Sequence, residues 1–427
     1  MTLTIPMFQP DEAFAYQLDA QDDLASFRTQ FVVDDPNLIY LLGNSLGRLP
    51  HAAASRLQTF VNEEWGKRLI RGWNEGWFSQ PNELGAKIAH LIGAHPDEVI
   101  IADSTSVNLF KLALAAVRGQ HGRTTILTDN LNFPSDLYIL SGVAQLAGPE
   151  YHLQLITSPD EIYGPVAALQ EALNERTALL SLSATVFKSS YSYDMAALTA
   201  KAHEYGALVL WDLSHATGAI PLNLAAAEVD LAVGCTYKYL CGGPGSPAFL
   251  YVRRALQEKL QNPISGWIGQ NNPFALGLAY EPAPGIQQFL TGTPSMLSLV
   301  ALEAGVDLLL QAGMERVRAK SVRQTEYIIY LWEQWLEPLG FCLKSPREAR
   351  WRGSHVALGH PEGLRISRAL KESLNVLPDF RKPDNLRFAA APLFNSYHDI
   401  YQAVIRLRRV MDEQLYTHYP TEAPVVT

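Results

Sequence analysis

The chain has 427 residues, of which 48% are hydrophobic and 18% are charged, a composition typical of a compact globular protein. This length favours two domains over a single small core. The formal net charge of −9 is spread along the sequence without a long block of one sign. That distribution argues against nucleic acid or an anionic membrane as the main partner.

The cysteines, the histidines and the first residues narrow the class of protein further. Cys235, Cys241 and Cys342 form no CxxC pair and no disulfide framework. His355 and His360 do not have the helical i,i+4 spacing of a metal-binding pair. Residues 1–22 lack the basic and apolar segments of a signal peptide, and no apolar run approaches the roughly 20 residues that span a bilayer. We therefore expect a cytoplasmic protein with no metal and no membrane partner.

Short apolar runs alternate with longer segments of helical period, which predicts an α/β fold with a large, mainly parallel sheet. In chain order, strands are expected at 98–102, 124–128, 178–182, 207–211, 230–234 and 248–252. Helices are expected between them at 107–117, 166–174 and 195–205. Because most of these strands are apolar throughout, helices should cover both faces of the sheet.

The pattern changes after residue 295. Two long helical segments are expected at 296–312 and 314–336, and strand-like pieces follow at 354–358 and 385–390. These elements predict a second, smaller α+β domain. We assign residues 51–295 to the large domain and residues 1–50 together with 296–427 to the small one.

Two segments near the predicted strand ends carry candidate binding residues. Thr105 and Ser106 follow a strand at the start of a helix, where hydroxyls and backbone N–H groups bind phosphate. Ordinary helix caps have the same appearance. Phe133 and Asp136 flank a Pro-Ser turn, and Phe133 is either a ring that stacks on a ligand or a core residue.

A third segment, ALVLWDLSHATGAIPLNL at 207–224, places an acid just beyond a buried strand. Asp212 follows the last apolar residue, and His215 lies in the small-residue turn after it. Ligands of open α/β sheets bind beyond the carboxyl ends of strands, so Asp212 would be presented to such a ligand. The alternative is that Asp212 caps the next helix and His215 is an ordinary loop histidine.

The fourth segment, VDLAVGCTYKYLCGGPGSPAFLYV at 229–252, brings a buried strand to Tyr237 and Lys238 before a glycine-rich stretch. A lysine at such a place is costly unless it is paired or covalently used, and a lysine that forms a Schiff base needs a partly desolvated site. The alternative is a surface lysine beside a flexible loop.

Asp212 and Lys238 together indicate pyridoxal phosphate (PLP) chemistry. A PLP enzyme needs a carboxylate against the pyridinium nitrogen. It also needs a lysine about one strand, loop and strand further along, and these two residues are so placed. A GxGxxG dinucleotide fingerprint is absent from the sequence.

From about residue 18 to residue 412 the chain resembles the kynureninase family of fold-type I PLP enzymes, the aspartate-aminotransferase-like group. Several motifs carry the resemblance together: LLGNSLGRLP at 41–50, EEWGKRLIRGWN at 63–74, STSVNLFK at 104–111, NFPSDLY at 132–138, WDLSHATGAIP at 211–221, GCTYKYLCGGPGSPAF at 234–249, SGWIG at 265–269, RGSHV at 352–356 and LRFAAAPLF at 386–394.

The resemblance implies a role for each matching position. Lys238 matches the Schiff-base lysine, Asp212 the partner of the pyridine nitrogen, Phe133 the stacking ring and Arg387 the arginine for the substrate α-carboxylate. The other matches are Thr105, Ser106, His215 and Tyr237 around the phosphate, Ser183 and Asp136 near the cofactor, Trp267 and Thr293 from the partner subunit of a homodimer, and Ser45 and Trp73 near the aromatic end of the substrate.

The reaction implied by the resemblance is hydrolysis of L-kynurenine, or of 3-hydroxykynurenine, to anthranilate or 3-hydroxyanthranilate and L-alanine. Lys238 moves the α-proton in this scheme, and Tyr237 transfers a proton in the later steps. The family role is tryptophan catabolism or NAD biosynthesis.

Some positions depart from the family pattern and leave the substrate open. Gln270 stands where a histidine is usual, and Ala184, Val186, Ser190 and Pro294 also differ. The alternatives are a PLP enzyme of the same fold with β-lyase, desulfurase or aminotransferase chemistry, and a regulatory PLP-binding protein. A desulfurase needs a mobile catalytic cysteine, whereas Cys342 lies in a strand-like setting. A regulatory protein would be expected to lack Lys238 or Arg387, and both are present.

Overall fold

The computed structural model describes residues 8–422 of the chain. Its helices are α1 Glu12–Ala20, α2 His51–Thr59, α3 Gln80–Ile92, α4 Thr105–Gly119, α5 Pro134–Ala147, α6 Val166–Ala172, α7 Met195–Glu204, α8 Arg254–Gln257, α9 Met296–Ala312, α10 Met314–Leu331, α11 Gly363–Ser373 and α12 Tyr397–Asp412. Its strands are β1 Ile39–Tyr40, β2 Val99–Ile101, β3 Thr125–Asp129, β4 His152–Ile156, β5 Thr177–Ser183, β6 Leu208–Asp212, β7 Leu231–Gly234, β8 Phe249–Val252, β9 Cys342–Leu343, β10 Val356–Gly359, β11 Val376–Leu377, β12 Asp379–Arg381 and β13 Asn385–Phe388.

Seven strands form one large sheet in the order β2-β8-β7-β6-β5-β3-β4. The pairs from β4 through β3, β5 and β6 to β7 are parallel, whereas β8 runs antiparallel to both β7 and β2. The predicted α/β class with a mainly parallel sheet is confirmed. All six predicted strands form, and the sequence reading missed only β4 in this sheet. That edge strand is partly exposed along its length, so it lacks the uniform apolar run that marked the others.

The alternation of side chains along the strands explains why helices cover both faces of this sheet. On β6, Val209 and Trp211 belong to a buried apolar cluster with residues of α3, α7 and α9. The neighbouring Leu210 belongs to a second cluster with residues of α4 and α5. Successive side chains of a strand point to opposite faces, so each strand contributes to two separate cores.

The small sheet is antiparallel and has four strands in the order β12-β13-β10-β9. A third apolar cluster joins it to α1, α10, α11 and α12. The N-terminal segment takes part, because α1 packs on α12 and Ile39 of β1 pairs with Val376 of β11. Helix α9 buries its apolar side chains with α2 and α3 in the cluster of the large sheet. The division at residues 50 and 295 stays a prediction.

A close contact between segments far apart in sequence brings the N-terminal loop to the end of β7. The Gly47 backbone N donates a hydrogen bond to the Tyr237 carbonyl at 2.8 Å. A Cβ atom at residue 47 would lie 2.4 Å from the carbonyl oxygen of Lys238. Only glycine permits this approach, and it places the loop that carries Ser45 beside Lys238.

No single helix in residues 8–422 is long and apolar enough to cross a bilayer. Helix α9 and the helical segment 314–339, bent by 85° at their junction, have the length and composition of a broken span only when taken together. No group of three or more His, Cys, Asp or Glu side chains in these residues is arranged to hold a metal ion.

Candidate active site

A cavity of about 180 Å³ lies where the carboxyl ends of β5, β6 and β7 face the small sheet. This is where open α/β sheets bind their ligands. The predicted site residues that line it are Ser45, Thr105, Ser106, Phe133, Asp136, Ser183, Asp212, His215, Tyr237, Lys238 and Arg387. The tertiary structure therefore brings together side chains spread over more than 340 positions of sequence.

Lys238 is the lysine that lines the cavity. It lies four residues after β7, in a turn rather than at the end of the strand as the sequence suggested. Its Nζ is 2.8 Å from Nε2 of His215. Burial, followed by the charge of Lys238, holds the pKa of His215 well below its usual value. The imidazole is therefore neutral, and its Nε2 accepts the hydrogen bond from the lysine.

Asp212 is the last residue of β6 and lies at the floor of the cavity. Its Oδ1 accepts hydrogen bonds from the backbone N of Ser214 at 2.9 Å and from the Ser214 hydroxyl at 2.6 Å. Burial raises the pKa of Asp212, while the positive charge of Lys238 and the bonds from Ser214 oppose that rise. These bonds fix the orientation of a carboxyl group that lines the cavity.

A second buried carboxyl group, Asp136, lies close enough to interact with Asp212. It belongs to the first turn of α5. Burial and then the charge of Asp212 raise its pKa well above the usual value, and Lys238 opposes this. Phe133, immediately before the helix, packs edge-on against Phe187 with the ring centres 5.2 Å apart. The exposed part of the Phe133 ring borders the cavity.

The start of α4, a helix of 15 residues, also lines the cavity. Thr105 and Ser106 are its first two residues, and the Ser106 hydroxyl lies 3.0 Å from that of Ser135. Unpaired backbone N–H groups and the helix dipole favour an anion at such a terminus. The hydroxyls and the helix start together suit a phosphate group.

Tyr237 and Ser183 complete the wall of the large domain. Burial, followed by the neighbouring Cys235, raises the pKa of Tyr237, so its phenol keeps its proton at neutral pH. Ser183 ends β5 and is fixed by its backbone N, which donates to Oδ1 of Asn132 at 2.5 Å. Tyr237 is thus a proton donor placed next to Lys238.

Arg387 of β13 enters the cavity from the small sheet. Its side chain is buried, and it donates to the carboxylate of Asp379, to the Ser45 hydroxyl at 3.1 Å and to the Phe187 carbonyl. Ser45 also donates to Oδ2 of Asp379 at 2.5 Å. Burial lowers the pKa of the guanidinium, and the neighbouring Tyr239 opposes this change.

Three predicted residues lie outside the lining of this cavity. Trp73 packs edge-on against Trp77, with ring centres 5.6 Å apart. Trp267 is 47% exposed, and its ring N–H donates to the Pro273 carbonyl at 2.6 Å. Thr293 lines an adjoining cavity of about 390 Å³, which shares Thr105 and Tyr237 with the first.

Sequence reasoning missed five residues that line the cavity, namely Asn44, Ser135, Phe187, Ser214 and Arg381. Asn44, Ser135 and Ser214 lie inside the recognised motifs GNSLG, NFPSDLY and WDLSHATG, so these motifs could have indicated them. Phe187 and Arg381 lie outside every recognised motif. Arg381 could have been found only from the alternation of side chains along β12, the strand that pairs with the strand of Arg387.

The residues that depart from the family pattern do not line this cavity either. Ala184 and Val186 are core residues, and the Ser190 hydroxyl accepts from the backbone N of His355 at 3.3 Å. Gln270 bonds within its own loop, to Ala279 at 3.2 Å and Glu281 at 2.7 Å. The last of them, Pro294, lines the adjoining cavity.

The donor set of the cavity fits PLP. An amine, a fixed carboxyl group and a helix start with hydroxyls correspond to the aldehyde, the ring nitrogen and the phosphate of that cofactor. The buried Nδ1 of His215 has no hydrogen-bond partner among residues 8–422. Such an orphaned polar atom beside Lys238 indicates that a further polar group belongs here.

The fold and the site are those of a PLP-dependent enzyme, and comparison with known proteins gives the same class. The model of the aminotransferase class-V family matches residues 39–352. Among solved structures, a cysteine desulfurase from Thermococcus onnurineus NA1 superposes with a TM-score of 0.79 at 16% identity, covering 91% of this chain and 98% of its own. A C-DES mutant with glycine covalently linked to its PLP cofactor superposes with a TM-score of 0.77 at 19% identity, covering 89% and 98%. At these identities the structural likeness concerns the fold.

Within that class, sequence relatives give the particular family. The kynureninase of Pseudomonas fluorescens is 43% identical over 402 residues, covering 93% of this chain and 94% of the relative. That of Burkholderia mallei (strain SAVP1) is 42% identical over 409 residues, covering 95% and 96%. The model of the kynureninase C-terminal domain matches residues 317–407. The chain belongs to the kynureninase family.

Proposed function

We propose that this chain is a PLP-dependent hydrolase that cleaves L-kynurenine to anthranilate and L-alanine. The observation that carries the proposal is a single cavity holding Lys238, Asp212 and Arg387 in a chain of the kynureninase family. The first two side chains suit the cofactor, and the third suits the carboxylate of an amino acid.

The residues that would hold the cofactor come from the large domain. Lys238 would bind its aldehyde carbon, Asp212 would pair with its ring nitrogen, Phe133 would lie against its ring, and Thr105 and Ser106 would bind its phosphate. When bound, PLP supplies an electron sink that stabilises negative charge at the substrate α-carbon.

The side chains of the site would perform the remaining tasks. The Arg387 guanidinium orients the substrate through its α-carboxylate. The Lys238 amine, hydrogen-bonded to neutral His215, takes the proton from the substrate α-carbon. Burial keeps the phenol of Tyr237 protonated. Tyr237 donates this proton to Cβ when the Cβ–Cγ bond breaks. Water adds to the side-chain ketone, so the two products are a carboxylic acid and an amino acid.

Desulfurase, β-lyase and aminotransferase chemistry are the alternatives on this fold. A desulfurase transfers sulfur to a cysteine that reaches the substrate. Cys342 is exposed on β9, the edge strand of the small sheet, and it does not line the cavity. The two other cysteines are buried. These positions favour hydrolysis over desulfuration.

The decisive experiment mixes the PLP-loaded protein with L-kynurenine and follows anthranilate fluorescence and alanine formation. Equal amounts of the two products are expected. A parallel reaction with 3-hydroxykynurenine shows which ring the enzyme prefers, by the ratio of the two kcat/KM values. Conversion of neither substrate, with turnover of cysteine or a keto-acid pair instead, would reject the proposal.

We also propose a homodimer in the cytoplasm, with Trp267 and Thr293 of each subunit completing the site of the other. The support for the dimer is that both residues lie outside the main cavity of their own chain and that Trp267 belongs to an exposed apolar patch with Phe274, Leu276 and Leu278. The support for the compartment is that all three cysteines are free.

A further inference from the structure

The wall of the cavity formed by the small sheet carries two arginines on one face. Asp379 of β12 lies directly opposite Arg387 of β13 in an antiparallel pair, so their side chains share a face. Arg381 is two residues further along β12 and therefore points the same way. Leu386, which precedes Arg387 on β13, points to the other face and belongs to the core of the small domain. Strand register alone thus places two guanidinium groups and one carboxylate at this wall.

One carboxylate oxygen is shared by both arginines there. Oδ2 of Asp379 accepts hydrogen bonds from Nη2 of Arg387 and from the Ser45 hydroxyl at 2.5 Å, and it forms an ion pair with Nη2 of Arg381 at 3.2 Å. Nη1 of Arg381 donates to the Phe380 carbonyl at 3.3 Å. Asp379 and Arg387 are each 1% exposed, whereas Arg381 is 31% exposed and borders the cavity. Asp379 is the shared counter-ion of both arginines.

The charges at this wall do not balance, because two guanidinium groups face one carboxylate. The Nε atoms of both Arg381 and Arg387 are also buried without an acceptor among residues 8–422. A buried charged donor without a partner costs more than an ordinary lost hydrogen bond. One further monoanionic acceptor, such as the carboxylate of an amino acid, would satisfy both the charge and the free N–H groups.

We propose that Arg381 is a second substrate-binding residue, which binds the α-carboxylate of the substrate together with Arg387. The inference rests on the proposed function in that it takes the ligand to be an amino acid. It assigns the specificity for an α-carboxylate to a pair of arginines held by Asp379, rather than to Arg387 alone.

The test compares two ligands that differ only in the carboxylate. The holoenzyme and its Arg381→Gln variant are assayed with L-kynurenine and with kynuramine, which lacks the α-carboxylate, as an inhibitor. Losing a charge-assisted hydrogen bond should raise KM for L-kynurenine roughly 10- to 100-fold. The kcat and the inhibition constant of kynuramine should stay nearly unchanged. Arg381→Lys should recover part of the lost affinity, because it restores the charge without the planar fork.

Lys382→Gln is the matched control. It removes one positive charge at the next residue, which is exposed and lines a different groove with Pro361 and Arg365. If Arg381→Gln and Lys382→Gln raise KM equally, the effect is long-range charge and the inference is wrong. If Arg381→Gln weakens kynuramine as much as L-kynurenine, the residue acts on the shape of the site and the inference is also wrong.

Calorimetric titration separates this inference from the proposed function. L-Alanine and ethylamine are titrated into the holoenzyme and the variant, with PLP content checked by absorbance. Arg381→Gln should weaken L-alanine by a similar factor and leave ethylamine unchanged. A wild-type protein that fails to hydrolyse kynurenine would reject the proposed function alone, since the titration still decides the role of Arg381. A loss of bound PLP in the variant would overturn the inference.

Discussion

At the scale of single residues, the cavity depends on buried ionisable side chains, and burial controls their pKa values. His215 is neutral, and Asp212 and Asp136 share one buried environment that raises the pKa of both carboxyl groups. Each of these states follows from the cost of placing charge in a poorly solvated space. The site therefore holds the amine of Lys238 at 2.8 Å from a neutral imidazole, beside a tyrosine whose phenol stays protonated.

Replacing Lys238 by alanine should abolish turnover without unfolding the protein. The amine that moves the proton at the α-carbon is then absent, and a lost general base lowers the rate by about 10²–10⁴-fold. We expect kcat to fall by at least this factor and the visible absorbance of bound PLP to change, with an unaltered far-UV circular dichroism spectrum. The exposed Lys259→Ala serves as the control. An unchanged PLP spectrum in Lys238→Ala would contradict the assignment of this lysine.

The histidines beneath the site should make stability depend on pH. The rings of His215 and His355 are 5.8 Å apart, and burial holds both pKa values well below 6.5. Above that pH both residues are neutral in the folded and unfolded states. As the pH falls below 6.5, the unfolded chain takes up protons that the folded chain does not, so each residue removes about 1.4 kcal/mol of stability per pH unit.

His355→Asn should therefore reduce the fall in Tm between pH 7 and pH 5. His355 does not line the cavity, so the variant tests this coupling without removing a proposed site residue. The measurement is differential scanning calorimetry of the PLP-loaded protein at several pH values, with the exposed His121→Asn as control. Parallel curves for His355→Asn and wild type would rule out the proposed coupling.

At the scale of elements, close backbone contacts hold the turn that carries Lys238. Helix α9 lies against this turn from one side, and a Cβ at Gly305 would meet the Leu240 carbonyl oxygen at 2.0 Å. The loop with Gly47 lies against it from the other side. The glycines are needed because the backbones approach more closely than any side chain permits. The position of Lys238 is thus set by elements distant in sequence.

Gly305→Ala should destabilise the protein even though alanine is the better helix former. The added methyl group has to displace α9 from the turn at Leu240, and overpacking of this kind costs about 1–3 kcal/mol. Gly142→Ala in α5 is the matched control, since no atom lies within 4 Å of its added Cβ, and it should gain roughly 0.5–1 kcal/mol. Urea unfolding measures both. Equal stability of the two variants would mean that the contact at Leu240 carries no constraint.

At the scale of the whole molecule, the site lies between a large, mainly parallel sheet and a small antiparallel one, and each sheet packs in its own apolar clusters. In the proposed function, the large domain would present Lys238 and Asp212 to the cofactor, and the small sheet would present Arg387 and Arg381 to the substrate. The exposed apolar patch around Trp267 and Phe274 would be covered in the proposed homodimer, which would add residues of the partner to the site.

A charge placed in this patch should separate the subunits and lower activity together. Leu276→Glu and Leu278→Glu would bury carboxylates in the proposed interface, which is costly without a partner. We expect the wild-type mass in solution to be twice 47.3 kDa and the double variant to be monomeric with a raised KM. Light scattering after size exclusion gives the mass. Leu146→Glu, at an exposed leucine of α5, should leave the dimer intact. A fully active monomer would contradict the shared site.

The amino-acid sequence alone determined the class of fold, six of the seven strands of the large sheet and the motifs that contain the site. It could do so because buried strands are apolar throughout, and because Asp212 and Lys238 lie in local patterns that their chemistry requires. It missed β4, since a partly exposed edge strand has no such pattern. The resemblance assigned Trp267 and Thr293 to the partner subunit, and both lie outside the main cavity of their own chain. Nothing in the sequence indicated that Trp73 lies outside it as well.

Only the tertiary structure decided which side chains meet. The hydrogen bond between Lys238 and His215, and the pairing of Asp379 with Arg387, depend on strand register and on the packing of one domain against the other. Arg381 shows the limit most clearly. Its sequence context is an ordinary alternating strand, and it borders the site only because of the register of β12. A shift of one residue in that register would turn Arg381 to the opposite face. Register is set by long-range burial, which no local stretch of sequence records.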